Sequence, residues 1–380
     1  MPAIPNLVLD PFCEVEDLLR PWAYSNECWD LSQHEIVPGA VYLLGRNQFE
    51  HNIQQIRDLV TQQQCRIILS NPAEGSETLV SAIQKYGVSD LVYSGKILIL
   101  GGGDMDSRYP YLQYDSFLPK ILDYDENLQE IQRAQEIFTK THKPYKFLFL
   151  NGRMRANRKY LLERLRLIDL LDHGLWTSLD SAPGPNRHIR LRYEGQDLMT
   201  IVRPVQYLER CYEVPRYRNG LTAESSGSFV KPDLFGDDWG EIYLYAPQYI
   251  DSYFSIVTET VFLYPHSFRT EKIWKPIAMG HPWICAANRG YYKDMKNLGF
   301  QTFSSIIDER FDEIDDNQKR IEKVAEVIEN LCRDDLPSFL AAAEPVCKYN
   351  QQHLAEMRTR VRKEFPDRFF QFLRQHQWMT

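Results

Sequence analysis

The chain has 380 residues, 43% of them hydrophobic and 25% charged, which is the balance of a globular fold and excludes a fibrous or low-complexity chain. Lys and Arg number 44 against 52 Asp and Glu, a formal charge of −8, so no global field draws the protein to nucleic acid or anionic lipid. The seven cysteines (Cys13, Cys28, Cys65, Cys211, Cys285, Cys332 and Cys347) show neither CxxC nor zinc-finger spacing. Their apolar settings, as in "QCRIILS" and "WICAA", read as reduced, buried thiols. The opening "MPAIPNLVLDPFCEVEDLL" has no basic region ahead of an apolar run, and no stretch is long enough to span a bilayer. The expectation is a cytoplasmic protein with no membrane span.

In chain order, "AVYLL" (40–44) reads as a strand and "FEHNIQQIRDLV" as a one-faced helix. "CRIILS" (65–70) is a strand, "ETLVSAIQKYG" a helix, and "DLVY" and "KILIL" two further strands. After a Tyr/Pro-rich interval near 107–125, "YKFLFL" (145–150) is a strand and "RKYLLERLRLIDLLDHG" a helix. The Gly/Pro-punctuated stretch 178–240 gives no clear element. Beyond it "EIYLY" (241–245) and "YFSIV" (253–257) are strands, and the helix and strand of "HSFRTEKIWKPIAMGHPWI" follow. "RGYYKDMKNLGF" is another helix, and 316–332, 335–349 and 351–374 are helical. This alternation predicts an α/β chain of two Rossmann-like domains facing a cleft. The expected division is 1–125, 126–335 and a set of C-terminal helices over 336–380.

In open parallel sheets ligands bind beyond the carboxyl ends of the strands. After "YKFLFL" stand Asn151, Arg153, Arg155 and Arg158, where a helix begins. Cations there oppose the helix dipole unless an anion offsets them, and arginine forks suit phosphate oxygens. A solvated basic helix face is the plainer alternative. After "SYFSIVTET", which ends at Glu259, a loop leads to Arg269, Thr270, Glu271 and Lys272 at the next helix start. Lys272 can reach a diphosphate, and the acceptor-only carboxylate of Glu271 suits the vicinal hydroxyls of a ribose. A Thr270 N-cap explains the Thr and Glu but leaves the flanking cations over.

"YFSIVTET…FRTEKIWKPIAMGHPWICA" resembles the donor-binding segment of fucosyltransferase-like glycosyltransferases of the GT-B fold, and "KFLFLNGRMRANRKYLL" resembles the basic segment that precedes it. "LGFQTFSSIIDERFDEIDD" is similar to bacterial and phage-borne chains that share this domain. The likeness covers about 145–330, with Thr260 where the family often has Asn and without the fucosyltransferase cysteine motifs. It implies that Glu271 holds the ribose, that Lys272 and Arg153 or Arg155 hold the diphosphate, and that Glu259 is the acidic loop residue. It also implies direct displacement with inversion, no cofactor, no required metal, and a base in the amino-terminal domain.

Two places offer that base: Glu74 in "SNPAEGSE" and Asp104 in "LILGGGDMDSRY". Asn71, Pro72 and Glu74 also form a helix-capping pattern. Asp104 and Asp106 raise a different mechanism, a GT-A-like transferase with a divalent metal between the aspartates and the diphosphate. A nucleic-acid-binding or DNA-modifying accessory protein, and a degenerate scaffold that only binds, complete the alternatives. The expected partner is a nucleotide sugar, and its acceptor is a glycan, a protein or a modified base.

Overall fold

The computed structural model describes residues 6–24, 27–62, 65–123, 125–151, 155–176 and 244–379, with short pieces at 192–193, 196–197, 223–224 and 228–229. The chain divides into two compact units, the first of residues 1–119 with 358–380 and the second of residues 120–357. The expected strand at 241–245 falls mainly outside the described residues, and its last residue, Tyr245, N-caps the helix Ala246–Ile250. Six of the seven cysteines are described, and all six are buried and unbridged; Cys211 lies outside the described residues.

The first unit is built on five parallel strands, β1 (Leu7–Leu9), β2 (Val41–Gly45), β3 (Arg66–Asn71), β4 (Ile97–Gly101) and β5 (Tyr111–Gln113), in the order β1-β2-β3-β4-β5. The apolar runs VYLLG, RIILSN and ILILG are those of strands covered on both faces. Alternation sends Tyr42, Leu44, Ile67, Leu69, Ile97 and Ile99 into one core, against the apolar sides of the connecting helices (Phe49, Ile56, Leu79, Ile83). Val41, Leu43, Ile68, Leu98 and Leu100 point the other way. The helices after β2 and β3 cover the first of these faces, whereas Val15 and Leu19, from the connection between β1 and β2, lie on the second. The second face is completed by Phe365, Phe369, Phe372, Leu373 and Trp378, from the far end of the chain.

Several expectations are corrected here. "DLVY" is not a strand but the short helix Ser89–Tyr93, which buries Leu91 and Val92; so brief an apolar run carries no period to separate the two forms. The helix of "ETLVSAIQKYG" begins at Ser76 with Gly75 as N-cap and Asn71 closes β3, so the alternative capping pattern of Asn71, Pro72 and Glu74 does not form. "FEHNIQQIRDLV" is two helices, Arg46–His51 and Ile53–Thr61, separated at Asn52. The segments expected as separate helices around residue 350 form one helix, Leu336–Gln375. The polar run that looked like a break is a contact: Asn350 is buried, its Oδ1 accepts from Gln301 N and its Nδ2 donates to Gln301 O, both at 2.8 Å.

The second unit carries β6 (Tyr145–Phe149) and β7 (Leu175–Trp176). Two short antiparallel pairs follow, β8 (Arg192–Tyr193) with β9 (Gln196–Asp197) and β10 (Ala223–Glu224) with β11 (Ser228–Phe229). Then come β12 (Ser252–Thr258) and β13 (Trp283–Ala286). Its parallel sheet has the order β13-β12-β6-β7. The chain therefore leaves β6 to one side and returns on the other, which makes a topological switch point between β6 and β12. At the opposite, amino end of β12, the fully buried His281 bonds Ser252 O and Ser255 Oγ, both at 2.9 Å. Burial lowers its pKa to about 3, so it is a neutral imidazole that donates from Nε2 and accepts at Nδ1. None of the described helices is long and apolar enough to cross a membrane.

Because Phe369 is fully buried in the core that the chain end completes, Phe369→Ala is expected to destabilise the first unit by about 3–5 kcal/mol. Urea unfolding measures this; a loss below about 1 kcal/mol would mean that the terminal helix only rests on the sheet.

Candidate functional site

The switch point puts attention on the residues that follow β6 and β12. Thr258, the last residue of β12, donates from Oγ1 to Asn151 Oδ1 at 3.0 Å, which joins the two strand ends. Its carbonyl accepts from Arg158 Nη2 at 3.2 Å. Arg158 lies in the first turn of the helix Ala156–Leu167, is 2% exposed, and reaches back over the strand end. That helix has Arg155 as its N-cap residue, no side-chain cap and no acid in its first turn.

One residue further along, Glu259 has no exposed surface. Its carboxylate accepts from Thr270 N (3.0 Å), Thr270 Oγ1 (2.7 Å), Tyr291 OH (3.1 Å) and Thr260 N (3.2 Å). Burial raises its pKa, against the opposing pull of Lys272 and the Thr270 amide. The ring of donors closes the loop 259–270 on itself and delivers Thr270 as the N-cap of the helix Glu271–Ala278. The Thr270 hydroxyl donates to Glu259 and accepts from Lys272 N at 3.3 Å and Lys272 Nζ at 3.2 Å. At the other end of this helix Gly280, at φ +65°, makes the left-handed turn into β13. The loop is held from outside by Arg320, whose guanidinium donates to Phe262 O (2.8 Å) and Ala287 O (3.1 Å) and lies 4.7 Å from the Phe262 ring centre.

Glu271 is 6% exposed and forms an ion pair with Lys272. Burial alone would raise the Glu271 carboxyl, but the Lys272 ammonium brings it below the ordinary carboxylate value. Glu259 and Glu271 therefore shift in opposite directions around one lysine. Lys272 keeps 21% of its side chain exposed. Arg269 differs from the expectation of an open, anion-seeking group: it is 1% exposed and its charge lies near Tyr291 and the Glu259 cluster. Trp274 is wholly buried.

The structure thus joins Asn151, Glu259, Thr270, Glu271 and Lys272 in one bonded set, with Arg155 at the adjacent helix start. Arg153 lies outside the described residues. Glu74 and Asp104 belong to the first unit. Glu74 is exposed beyond β3, and its amide bonds Asn71 O at 3.4 Å. Asp104 follows β4 and accepts from Gln113 Nε2 at 3.1 Å, while Asp106 pairs with Arg108 at 2.6 Å. Tyr291 and Arg320 were not anticipated. Tyr291 follows Gly290 in a helix that reads as ordinary, and Arg320 sits in "NQKRIEKVAE", which has the pattern of a solvated face. No signal in the local sequence distinguishes either.

No family model matches this chain, and neither a curated protein nor a solved structure is similar to it.

Glu259→Gln replaces one carboxylate oxygen, which accepts, with an amide that donates toward donors. The variant is expected to lose about 2–3 kcal/mol of stability, read as a shift in the urea midpoint of the second unit. A neutral result would show that the four bonds do not hold the loop.

Proposed function

We propose that this chain is a glycosyltransferase whose second unit holds the nucleoside diphosphate of an activated sugar. One observation carries the reading: two helix starts, one of them begun by Arg155 and Arg158, are bonded to the adjacent residues Thr258 and Glu259 at the switch point of the sheet. Helix amino termini and nearby cations favour phosphate, and switch points are where open α/β sheets take ligands. In this reading Lys272 and Arg153 or Arg155 hold the diphosphate, and Glu271 accepts from the ribose hydroxyls. Glu259 touches no substrate; it fixes the loop that presents them.

The reaction is a direct displacement. The acceptor oxygen bonds the anomeric carbon as the bond from that carbon to the diphosphate oxygen breaks, and the electron pair leaves with the diphosphate. Arginine and lysine stabilise the departing charge. The acceptor's proton passes to a carboxylate, for which Glu74 and Asp104 are the first unit's candidates.

Thermal denaturation with GDP, UDP, CDP and TDP, each with and without Mg²⁺, tests the reading. At least one diphosphate is expected to raise the melting temperature. Lys272→Ala, which leaves the buried bonds of Glu259 intact, is expected to weaken that ligand about 10- to 100-fold through loss of one charge-assisted contact. Indifference to all four nucleotides, or equal binding by the variant, would overturn it.

A further inference from the structure

The first unit has a feature at its outer edge that donor binding does not use. Ala23, Tyr24 and Cys28 lie beside β1: Ala23 bridges Leu7, Tyr24 N donates to Leu7 O at 2.6 Å, and Cys28 N donates to Leu9 O at 3.0 Å. Next to Cys28 the Trp29 indole faces outward, 62% exposed, beside Phe12, which is 68% exposed. The rings meet edge to face with their centres 6.0 Å apart. Two exposed rings of this size in contact form an apolar patch that water solvates poorly.

Both rings are held in place from below. Buried Asp10 accepts from Phe12 N at 3.0 Å and from Gly45 N at 2.7 Å, so it ties the Phe12 turn to the end of β2. Gln48, from the helix after β2, donates to Trp29 O and accepts from Leu31 N at 3.2 Å. A freely moving surface aromatic has no such supports. A cavity of about 620 Å³ adjoins Trp29, with Tyr24, Arg20, Glu27, His34 and Glu35 among its lining. That volume is in the range of small-ligand sites, about 300–1,000 Å³.

The chemistry of the lining selects the ligand. Arg20 is already paired with Glu27 at 3.1 Å, and Glu35 adds a second carboxylate, so the cavity repels an anion. His34, whose ring stands edge-on to Tyr42 at 5.7 Å, has no partner at Nε2. Carboxylates accept hydrogen bonds and cannot donate them, so the occupant must supply several O–H or N–H groups. It must also offer a flat C–H face to the indole. A sugar ring has both: hydroxyls around its rim and C–H bonds on its faces. An apolar protein partner would leave the Glu35 carboxylate unanswered.

We infer that the β1 edge of the first unit is a binding site for a neutral saccharide, stacked on Trp29 and hydrogen-bonded by Glu27 and Glu35. This inference does not rest on the donor site and stands if the second unit binds no nucleotide.

The test is calorimetric titration of the full chain with four neutral trisaccharides, built from glucose, galactose, mannose and N-acetylglucosamine. At least one is expected to bind saturably, with little response to ionic strength because the ligand is uncharged. Trp29→Ala is expected to weaken it by about tenfold or more, as for a central aromatic anchor, and Glu35→Gln to weaken it less. Neither exposed position should move the melting temperature, which checks that the variants fold. Absence of binding by all four sugars, or equal binding by wild type and Trp29→Ala, would overturn the inference. So would light scattering in which Trp29→Ala turns a dimer into a monomer, because the rings would then be an interface between copies. UDP and GDP titrations of the same samples report the second unit separately.

Discussion

A single carboxylate without exposed surface, Glu259, organises the second unit's candidate site. A buried carboxylate is stable only when its oxygens are answered. Glu259 is answered by two groups of Thr270, by the phenol of Tyr291 and by the next residue's amide. From this need follow the closed path of the loop and the N-cap of the helix Glu271–Ala278. The position of Lys272 at the first turn follows as well. The acid that a motif reading would assign to a substrate is thereby bonded on all sides within the loop, while Glu271 and Lys272 pair with each other beside it.

The two sheets look alike in composition and differ in what they can do. In the first, strands follow one another across the sheet without reversal, so there is no crevice of the switch-point kind. One face of this sheet is covered by the chain's last aromatic residues together with Val15 and Leu19 of the β1–β2 connection. In the second, the reversal at β6 separates the chain's departures to either side and opens the place where Asn151, Thr258 and Glu259 meet. Topology, more than residue type, distinguishes the second unit's sheet from the first.

The long apolar strands were legible because both their faces are covered, and β2, β3, β4, β6, β12 and β13 lie within a residue or two of where their patterns place them. The three-residue strands β1 and β5 were not, since three residues carry no period. The Thr270 N-cap was readable from residue type and position. The burial of Arg269 and Arg320 was not, because a guanidinium inside a fold looks in sequence like one on its surface. Strand order was equally hidden: the alternation of helix and strand is the same for a sequential sheet and a reversed one. The partners of Glu259 come from residues up to 32 positions away, and only the fold brings them together.

Amide hydrogen exchange on the ligand-free full chain tests the anchoring role of Glu259 most directly. If the carboxylate holds the loop, the Thr270 amide, which donates to Glu259, exchanges as slowly as the β12 amide of Ser255, which donates to Pro282 O. Exchange of Thr270 at the rate of an open surface loop, with Ser255 still protected, would contradict the account.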